Sequence, residues 1–444
     1  MKRVLDRLPF FYGWVIVGVS LITITLSTSM RSSFSVFYVA ILKEFGWGRA
    51  ETAGAMSLAM VTAAVGGLLA GWLVDRLGPR RFLPIGAVVL ALGLVASSQI
   101  RSLWQFYISF GLLTAGGLAA LWYVPQGVLI SRWFVSQRST AFGIALSGIG
   151  AGSLLLLPLA QALIEKIGWR NTYLVLAVCM AAILIPLNGI LLRSSPQEMG
   201  LHPDGEDPAT LRKKGESKKR IRMVVRDERW ASVEWSVPLA VRTHQFWILV
   251  LINITNGFRM NLLHAHQVIY LVDKGFTAMV AATIFGFTYL CGTAGSLLWG
   301  RVSDRSGREV AQSAVTLLMI AGLLALMRIK SQEDWVLLTL FAVIYGIGWG
   351  GSTPVGTSIH ADLFQGKNFG TILGTVNMGF GFGGALGAWF GGYVYDQTSS
   401  YNLAFYAVIV LSVVSAVLVW VLAPRKIRAP MRERGIVSVE GKTL

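Results

Sequence analysis

The sequence predicts an all-α integral membrane protein of twelve transmembrane helices in two pseudo-symmetric halves, and three observations carry that expectation. Hydrophobic residues fill 54% of 444 positions, charged residues only 14%, and the mean hydropathy is +0.61, whereas a soluble domain carries about a quarter charged residues. Twelve apolar stretches follow one another, each near the ~20 residues that cross ~30 Å of hydrocarbon. The chain also repeats itself. Gly71, Asp75, Arg76, Gly78, Arg80 and Arg81 form a segment that recurs, altered, as Gly300, Asp304, Arg305, Gly307 and Arg308, 229 positions later. At the same offset Glu44-Phe-Gly46-Trp47 lines up with Asp273-Lys-Gly275-Phe276, and Ala141-Phe142-Gly143 lies close to the register of Asn368-Phe369-Gly370. A hydrophobic chain made of two similar halves is the mark of a secondary transporter.

The spans fall at 11–41, 50–72, 82–100, 104–131, 140–165 and 171–192, then at 244–271, 279–300, 310–328, 335–359, 368–394 and 402–422. They divide the chain into a first six-helix bundle (1–192), a cytoplasmic linker (193–243), a second six-helix bundle (244–423) and a cytoplasmic tail (424–444). The formal net charge of +17 is a topological signal rather than a nucleic-acid footprint. Lys and Arg concentrate in Met1 to Arg7, Arg76 to Arg81, the linker, and Arg425 to Arg434, as expected of segments retained in the cytoplasm beside anionic lipid. The linker alone carries eleven Lys/Arg against eight Asp/Glu, including the run Arg212 to Arg222. The apolar run from Phe10 is too long for a cleaved signal and lacks a small-residue cleavage site before Arg31. Cys179 and Cys291 both fall inside apolar segments without metal-ligand spacing. No Walker loop, nucleophile elbow or metal cluster points to an enzyme, and no cofactor or metal is expected.

The loop pattern Gly71-x-Leu73-x-Asp75-Arg76-x-Gly78-x-Arg80-Arg81 resembles the signature of the major facilitator superfamily, which implies two six-helix bundles around one central substrate site. A second match sharpens this. Trp133-Phe134, Arg138, Ala141, Gly143, Ala145, Ser147-Gly148 and Gly152 resemble the motif of the monocarboxylate transporters, a plan shared by bacterial oxalate/formate antiporter-like proteins. Tyr12-Gly13-Trp14-Val15 looks like a reduced form of that family's opening motif. The resemblance implies a monomer in a cell membrane, here a bacterial inner membrane, carrying a small carboxylate by symport with a proton or by antiport. The family's Asp and Arg pair in the eighth span has no counterpart in Ala278 to Gly300, and its first-span lysine has Arg31 nearby.

The residues themselves point the same way. A charge at mid-bilayer is expensive and normally lines a wet cavity with a function. Arg31 shares a helix face with Ser27, Thr28 and Ser35; Arg259 has Asn256 three residues before it and His266 seven after. By the repeat, Arg31 corresponds to Met260, so the two cations are nearly symmetric. No Asp or Glu sits near the middle of a span, and a guanidinium offers a planar fork matched to a carboxylate. The expected substrate site is therefore Arg31, Arg259, Asn256, His266, Tyr123, Tyr345 and Asn377, with Arg259 as the main anchor. His266, or else His264, is the expected proton carrier. Trp122, Gln126 and Trp349 are further candidates for the lining.

Gating is expected of Asp75, Arg76 and Arg80 in the first signature loop and Asp304, Arg305 and Arg308 in the second, through contacts of the acids with neighbouring arginines or a facing helix N-terminus. In the superfamily this contact closes the inside of the outward-facing state. Glycines at 143, 148, 150 and 152, and at 374, 379, 381, 383, 384, 387, 391 and 392, give small faces on symmetry-related helices that allow close approach and sliding. A multidrug or cation exporter of the same fold and a non-transporting sensor are the competing readings. The exporter would carry a buried carboxylate where this chain carries arginines.

Overall fold

The computed structural model describes residues 11–134, 137–205, 223–225, 227–364 and 368–430; the basic run 212–222 and the extreme ends of the chain lie outside the described residues. The membrane helices are α1 (Gly13–Phe45), α2 (Arg49–Leu77), α3 (Pro79–Ser98), α4 (Leu103–Trp133), α5 (138–167), α6 (169–191), α7 (His244–Asp273), α8 (Ala278–Ser306), α9 (Arg308–Met327), α10 (Trp335–Leu363), α11 (Phe369–Thr398) and α12 (Asn402–Leu422). Among the described residues, nine helical stretches are both long and apolar enough to cross a membrane. One of these is two spans, because Gly168 at φ 79°, ψ 158° interrupts the run Arg138–Pro186 and separates α5 from α6. The remaining two are α2 and α11. α2 carries its charges, Arg49, Glu51, Asp75 and Arg76, at its two ends around an uncharged stretch from 52 to 74, and α11 carries nine glycines.

All twelve helices run between two ends: the linker end, where the 193–243 segment leaves and returns, and the far end. α2 and α8 extend past their predicted limits to Leu77 and Ser306. They stop at Gly78 (φ 76°) and Gly307 (φ 96°), where a side chain would be strained. Asp75 and Asp304 thus lie within last helical turns rather than in loops.

Broken helices repair themselves with side chains, as lipid requires. In α4, Pro125 has no N–H for the carbonyl of Leu121, the residue four back. The Gln126 amide donates to that carbonyl instead at 3.3 Å, just where Trp122 leaves helical geometry at ψ −156°. In α1 the hydroxyls of Ser27, Thr28 and Ser33 each donate to a carbonyl three or four residues back, at 2.7 Å. Such bonds loosen a helix, and α1 is interrupted for one residue at Ser33.

The end of the linker is fastened to the second half. Trp230 donates its indole N–H to the Leu363 carbonyl at 2.7 Å. Trp235 packs edge-on against Phe364, with ring centroids 5.1 Å apart, and its carbonyl accepts from the Asn368 amide at 3.0 Å. A short antiparallel ribbon, Met223–Val225 with Arg428–Pro430, ties the linker to the segment after α12.

Packing within the second half depends on backbone contact. A Cβ on Gly383 would lie 2.0 Å from the Ile254 carbonyl oxygen, whereas one on Gly374 meets nothing within 4 Å. Gly383→Ala is therefore expected to force α7 and α11 apart and cost about 1–3 kcal/mol. Gly374→Ala should be neutral. Thermal unfolding of the two purified variants, followed by size-exclusion fluorescence, checks this; equal midpoints would refute the packing assignment.

Candidate substrate site

Arg31 lies at mid-depth in α1, just before the loosened turn at Ser33. Its Nη2 donates to Asn261 Oδ1 at 3.2 Å and contacts Met60 Sδ at 3.3 Å, while its Nε has no partner. One residue on, the Ser32 hydroxyl donates to Tyr289 Oη at 2.8 Å. The central turn of α1 is thus joined to α7 and α8 of the opposite half.

Arg259 sits at the same depth in α7 but points elsewhere. It is 1% exposed, its Nη2 donates to Ser352 Oγ in α10 at 3.1 Å, and its Nη1 has no partner. The reason is rotational: Met260 is the symmetry equivalent of Arg31, and a shift of one residue turns a side chain by about 100° around a helix. Arg31 therefore faces the seam between the halves, and Arg259 is packed inside the second half. The sequence expectation made Arg259 the main anchor; the structure places Arg31, not Arg259, on the seam. Among the described residues neither guanidinium forms an ion pair.

At the same depth a cavity of about 20 Å³ is lined by Met260, Leu263, His264, Gln267, Phe285, Thr288, Tyr289, Tyr345 and Trp349, room for about one water. His264 Nε2, Gln267 Nε2 and Tyr345 Oη are buried there without partners. Asn256 is half-buried one turn toward the linker end, its Oδ1 also without a partner. Asn377 is exposed; it lies one turn linker-ward of Gly381, whose backbone packs on Ala64 of α2, and so continues the seam-facing side of α11. The side chains of Tyr123 and Asp75 lie outside the described residues.

His266 does not join this group. It shares a face with Arg259 but sits two turns, about 10 Å, nearer the far end. Its Nε2 lies 2.8 Å from the Ala388 carbonyl, and its Nδ1 lies 3.1 Å from Tyr401 Oη. A carbonyl only accepts, so Nε2 carries the proton and the Tyr401 hydroxyl donates to Nδ1. With both ring nitrogens occupied and the ring 0% exposed, His266 is part of a closure, and His264 is the histidine beside the arginines.

That closure is built around Arg49 at the start of α2. Its guanidinium grips Asp273 of α7 in bidentate fashion at 2.6 and 2.9 Å, donates to the Tyr401 hydroxyl oxygen at 2.9 Å, and lies 3.5 Å over the Tyr395 ring. Asp396 accepts from the backbone N–H groups of Arg49 and Ala50 at 2.9 and 2.8 Å, a carboxylate at a helix N-terminus. Tyr38 Oη donates to the Arg49 carbonyl at 2.8 Å, and its ring meets His266 edge-on. Glu44, the repeat counterpart of Asp273, instead pairs with Arg170 within the first half.

At the linker end, Arg308 donates to Asp304 at 2.7 Å, to Ser303 at 2.9 Å and to Asp362 of α10 at 2.9 Å. These contacts stay within the second half. Arg76 is exposed, over the Trp72 ring at 4.1 Å, Arg80 reaches the Gly189 carbonyl at 3.4 Å, and Arg305 is exposed. Among the described residues, every hydrogen bond between α1–α6 and α7–α12 lies at mid-depth or nearer the far end. Sequence reading missed Asn261, Ser352, Arg49, Tyr401 and Asp362. Only Asp362 and Arg49, as charges at helix ends, carried a signal that could have been used.

The fold defines a multi-pass membrane transporter built from two related halves. The chain belongs to the Major Facilitator Superfamily, whose family model matches residues 20–352 and again 273–440. It is similar to Monocarboxylate transporter 13 of Rattus norvegicus (28% identity over 394 residues, 89% of this chain and 85% of that protein). It is also similar to the uncharacterized MFS-type transporter YcxA of Bacillus subtilis (27% over 398 residues, covering 88% and 90%) and to human Monocarboxylate transporter 11 (25% over 403 residues, covering 89% and 79%). Among solved structures, a bacterial homolog of the human lysosomal transporter Spinster, inward-facing and unoccupied, shares the fold at 15% identity and a TM-score of 0.71, covering 94% of this chain and 98% of that one.

The far-end closure makes a direct prediction. Asp273→Asn removes one charge of a bidentate pair whose carboxylate is partly exposed, and the closed arrangement should lose about 1 kcal/mol. Far-end accessibility of a cysteine at Ser35, which is 0% exposed in α1, to an impermeant thiol reagent should rise severalfold. Unchanged labelling would show that the pair does not hold the closure.

Proposed function

We propose that this transporter moves small organic carboxylates by alternating access, with the two halves (1–192 and 244–423) rocking about the mid-depth contacts. The observation that supports this most is the pair of mid-depth guanidinium groups, one from each half, with neutral protein acceptors and unsatisfied N–H donors. An anion is the ligand that such a pair would bind best. The relatives named monocarboxylate transporters favour a monocarboxylate. Arg31, on the seam, makes the first contact with the carboxylate; Arg259, with Tyr345 and Ser352 around it, raises the positive potential of the cavity and contacts substrate once the site closes.

Tyr123, Asn256 and Asn377 complete the lining. His264, beside the cavity with a free ring nitrogen, is the group that we assign to proton coupling, and His266 belongs to the gate. Asp75, Arg76 and Arg80, with Asp304, Arg305 and Arg308, are assigned to closure of the linker end in the opposite state. With the termini and linker in the cytoplasm, as the Lys/Arg bias favours, the arrangement described above is the inward-facing one.

A proteoliposome flux screen across mono- and dicarboxylates of one to six carbons, with and without a pH gradient, tests the reading. Arg31→Gln should weaken carboxylate transport about ten- to a hundredfold in apparent affinity, the worth of a charge-assisted hydrogen bond. Arg259→Gln should lose a comparable or smaller factor. Arg31→Lys should recover part of the loss, since an ammonium keeps the charge and loses the fork. Each variant is scored only after its amount in the membrane is matched to wild type. Wild-type affinity in well-expressed Arg31→Gln and Arg259→Gln would exclude an arginine-based anion site and bring the cation exporter forward.

A further inference from the structure

The Arg31–Asn261 contact is arranged as a replaceable one. Asn261 is fully buried in α7, and its amide is held on two sides. Its Nδ2 donates to the Gly257 carbonyl at 3.0 Å, and a Cβ on Gly384 of α11 would stand 2.5 Å from that nitrogen. The amide oxygen is thereby fixed toward the seam, where it accepts from Arg31 Nη2. It stands at the position where an acceptor oxygen for Arg31 is wanted, and it comes from the opposite half. An aspartate there would satisfy the guanidinium too well, with a full ion pair across the seam that a substrate carboxylate could not displace. An apolar residue would leave the charge with only Met60 Sδ.

We infer that Asn261 is a positioning residue that stands in for the substrate carboxylate on Arg31 when the carrier is empty, and so sets both affinity and the rate of empty-carrier return. The inference rests on the proposal that Arg31 binds a carboxylate. Reorientation passes through a state in which water is shut out of the site, and a guanidinium without an acceptor is costly there. A loaded carrier has the substrate oxygen on Arg31 at that moment; an empty one has the Asn261 oxygen. Because the amide is neutral, a carboxylate outcompetes it, and the exchange of one acceptor for the other releases Asn261 as substrate arrives.

Three variants separate this role from a structural one. Asn261→Leu keeps the volume and removes the acceptor. Arg31 is then unsatisfied in the empty state, so the KM for carboxylate should fall by about three- to tenfold, a fraction of a charge-assisted hydrogen bond. Net efflux should slow by a similar factor, while exchange of internal for external substrate continues at close to the wild-type rate. Asn261→Asp should raise KM by about tenfold or more, by pairing with Arg31. Asn261→Gln, which returns an amide oxygen on a longer arm, should restore part of the wild-type ratio of net flux to exchange.

The measurement is radiotracer net efflux and counterflow in proteoliposomes, with the carboxylate carried fastest in the screen above as probe. A defect of folding would depress net flux and exchange together and leave KM unmoved or raised. Should Asn261→Leu do that, Gly384→Ala, which displaces the Asn261 amide without altering its chemistry, must raise the exchange-to-net ratio for the inference to stand. A wild-type protein that carries no carboxylate removes the underlying reading. A wild-type protein that carries one, with an unchanged KM and an unchanged ratio in Asn261→Leu and Asn261→Asp, overturns the role of Asn261 and leaves the substrate reading intact.

Discussion

A guanidinium at the middle of a bilayer must find an acceptor inside the protein, and the arrangement of this molecule follows from where acceptors of each kind have been placed. At the far end Arg49 meets Asp273, and at the linker end Arg308 meets Asp304 and Asp362. Both are charge against charge. At mid-depth the acceptors are neutral: an amide oxygen for Arg31 and a hydroxyl for Arg259. In these two clusters a carboxylate compensates the guanidinium, and at mid-depth none does. That contrast is what supports the proposal of an anion site at the centre.

The two halves share an ancestry in sequence but have been put to different uses. Glu44 and Asp273 occupy equivalent places in the repeat; one closes a contact inside its own half, the other reaches across to Arg49. The linker is similarly one-sided, since Trp230 and Trp235 bind it to the α10–α11 corner and the ribbon binds it to the end of α12. The second half thus carries the linker's last turns as part of its own body.

Lipid imposes so strong a composition on a chain that the number, order and approximate ends of the twelve helices were legible without a structure, and the offset of 229 showed the two halves. Depth was legible too. Arg31, Arg259, His264 and Tyr345 all read from the sequence as near mid-membrane; His264 and Tyr345 line the one small cavity there, and the two arginines do not. Azimuth was not. The direction in which Arg259 points turns on a single residue of phase, and the shared helix face that grouped His266 with Arg259 says nothing about two turns of rise. Partners from the other half were out of reach altogether, because the pairing of Arg31 with Asn261 depends on the relative register of α1 and α7, which no local pattern encodes. The far-end closure escaped for the same reason: Arg49 and Asp273 are 224 residues apart and each reads alone as a charge at a helix end.

α2 and α11 pack against each other across the seam, with Gly381 on Ala64 and Gly392 on Ala50. The contact bears on biogenesis. Glycine contributes little apolar surface, so α11, with nine glycines, is a weak substrate for insertion by itself. It is synthesised last but one of the twelve helices, when its partner α2 is already made, and close packing on that small-residue face offsets the apolar surface that its own sequence lacks.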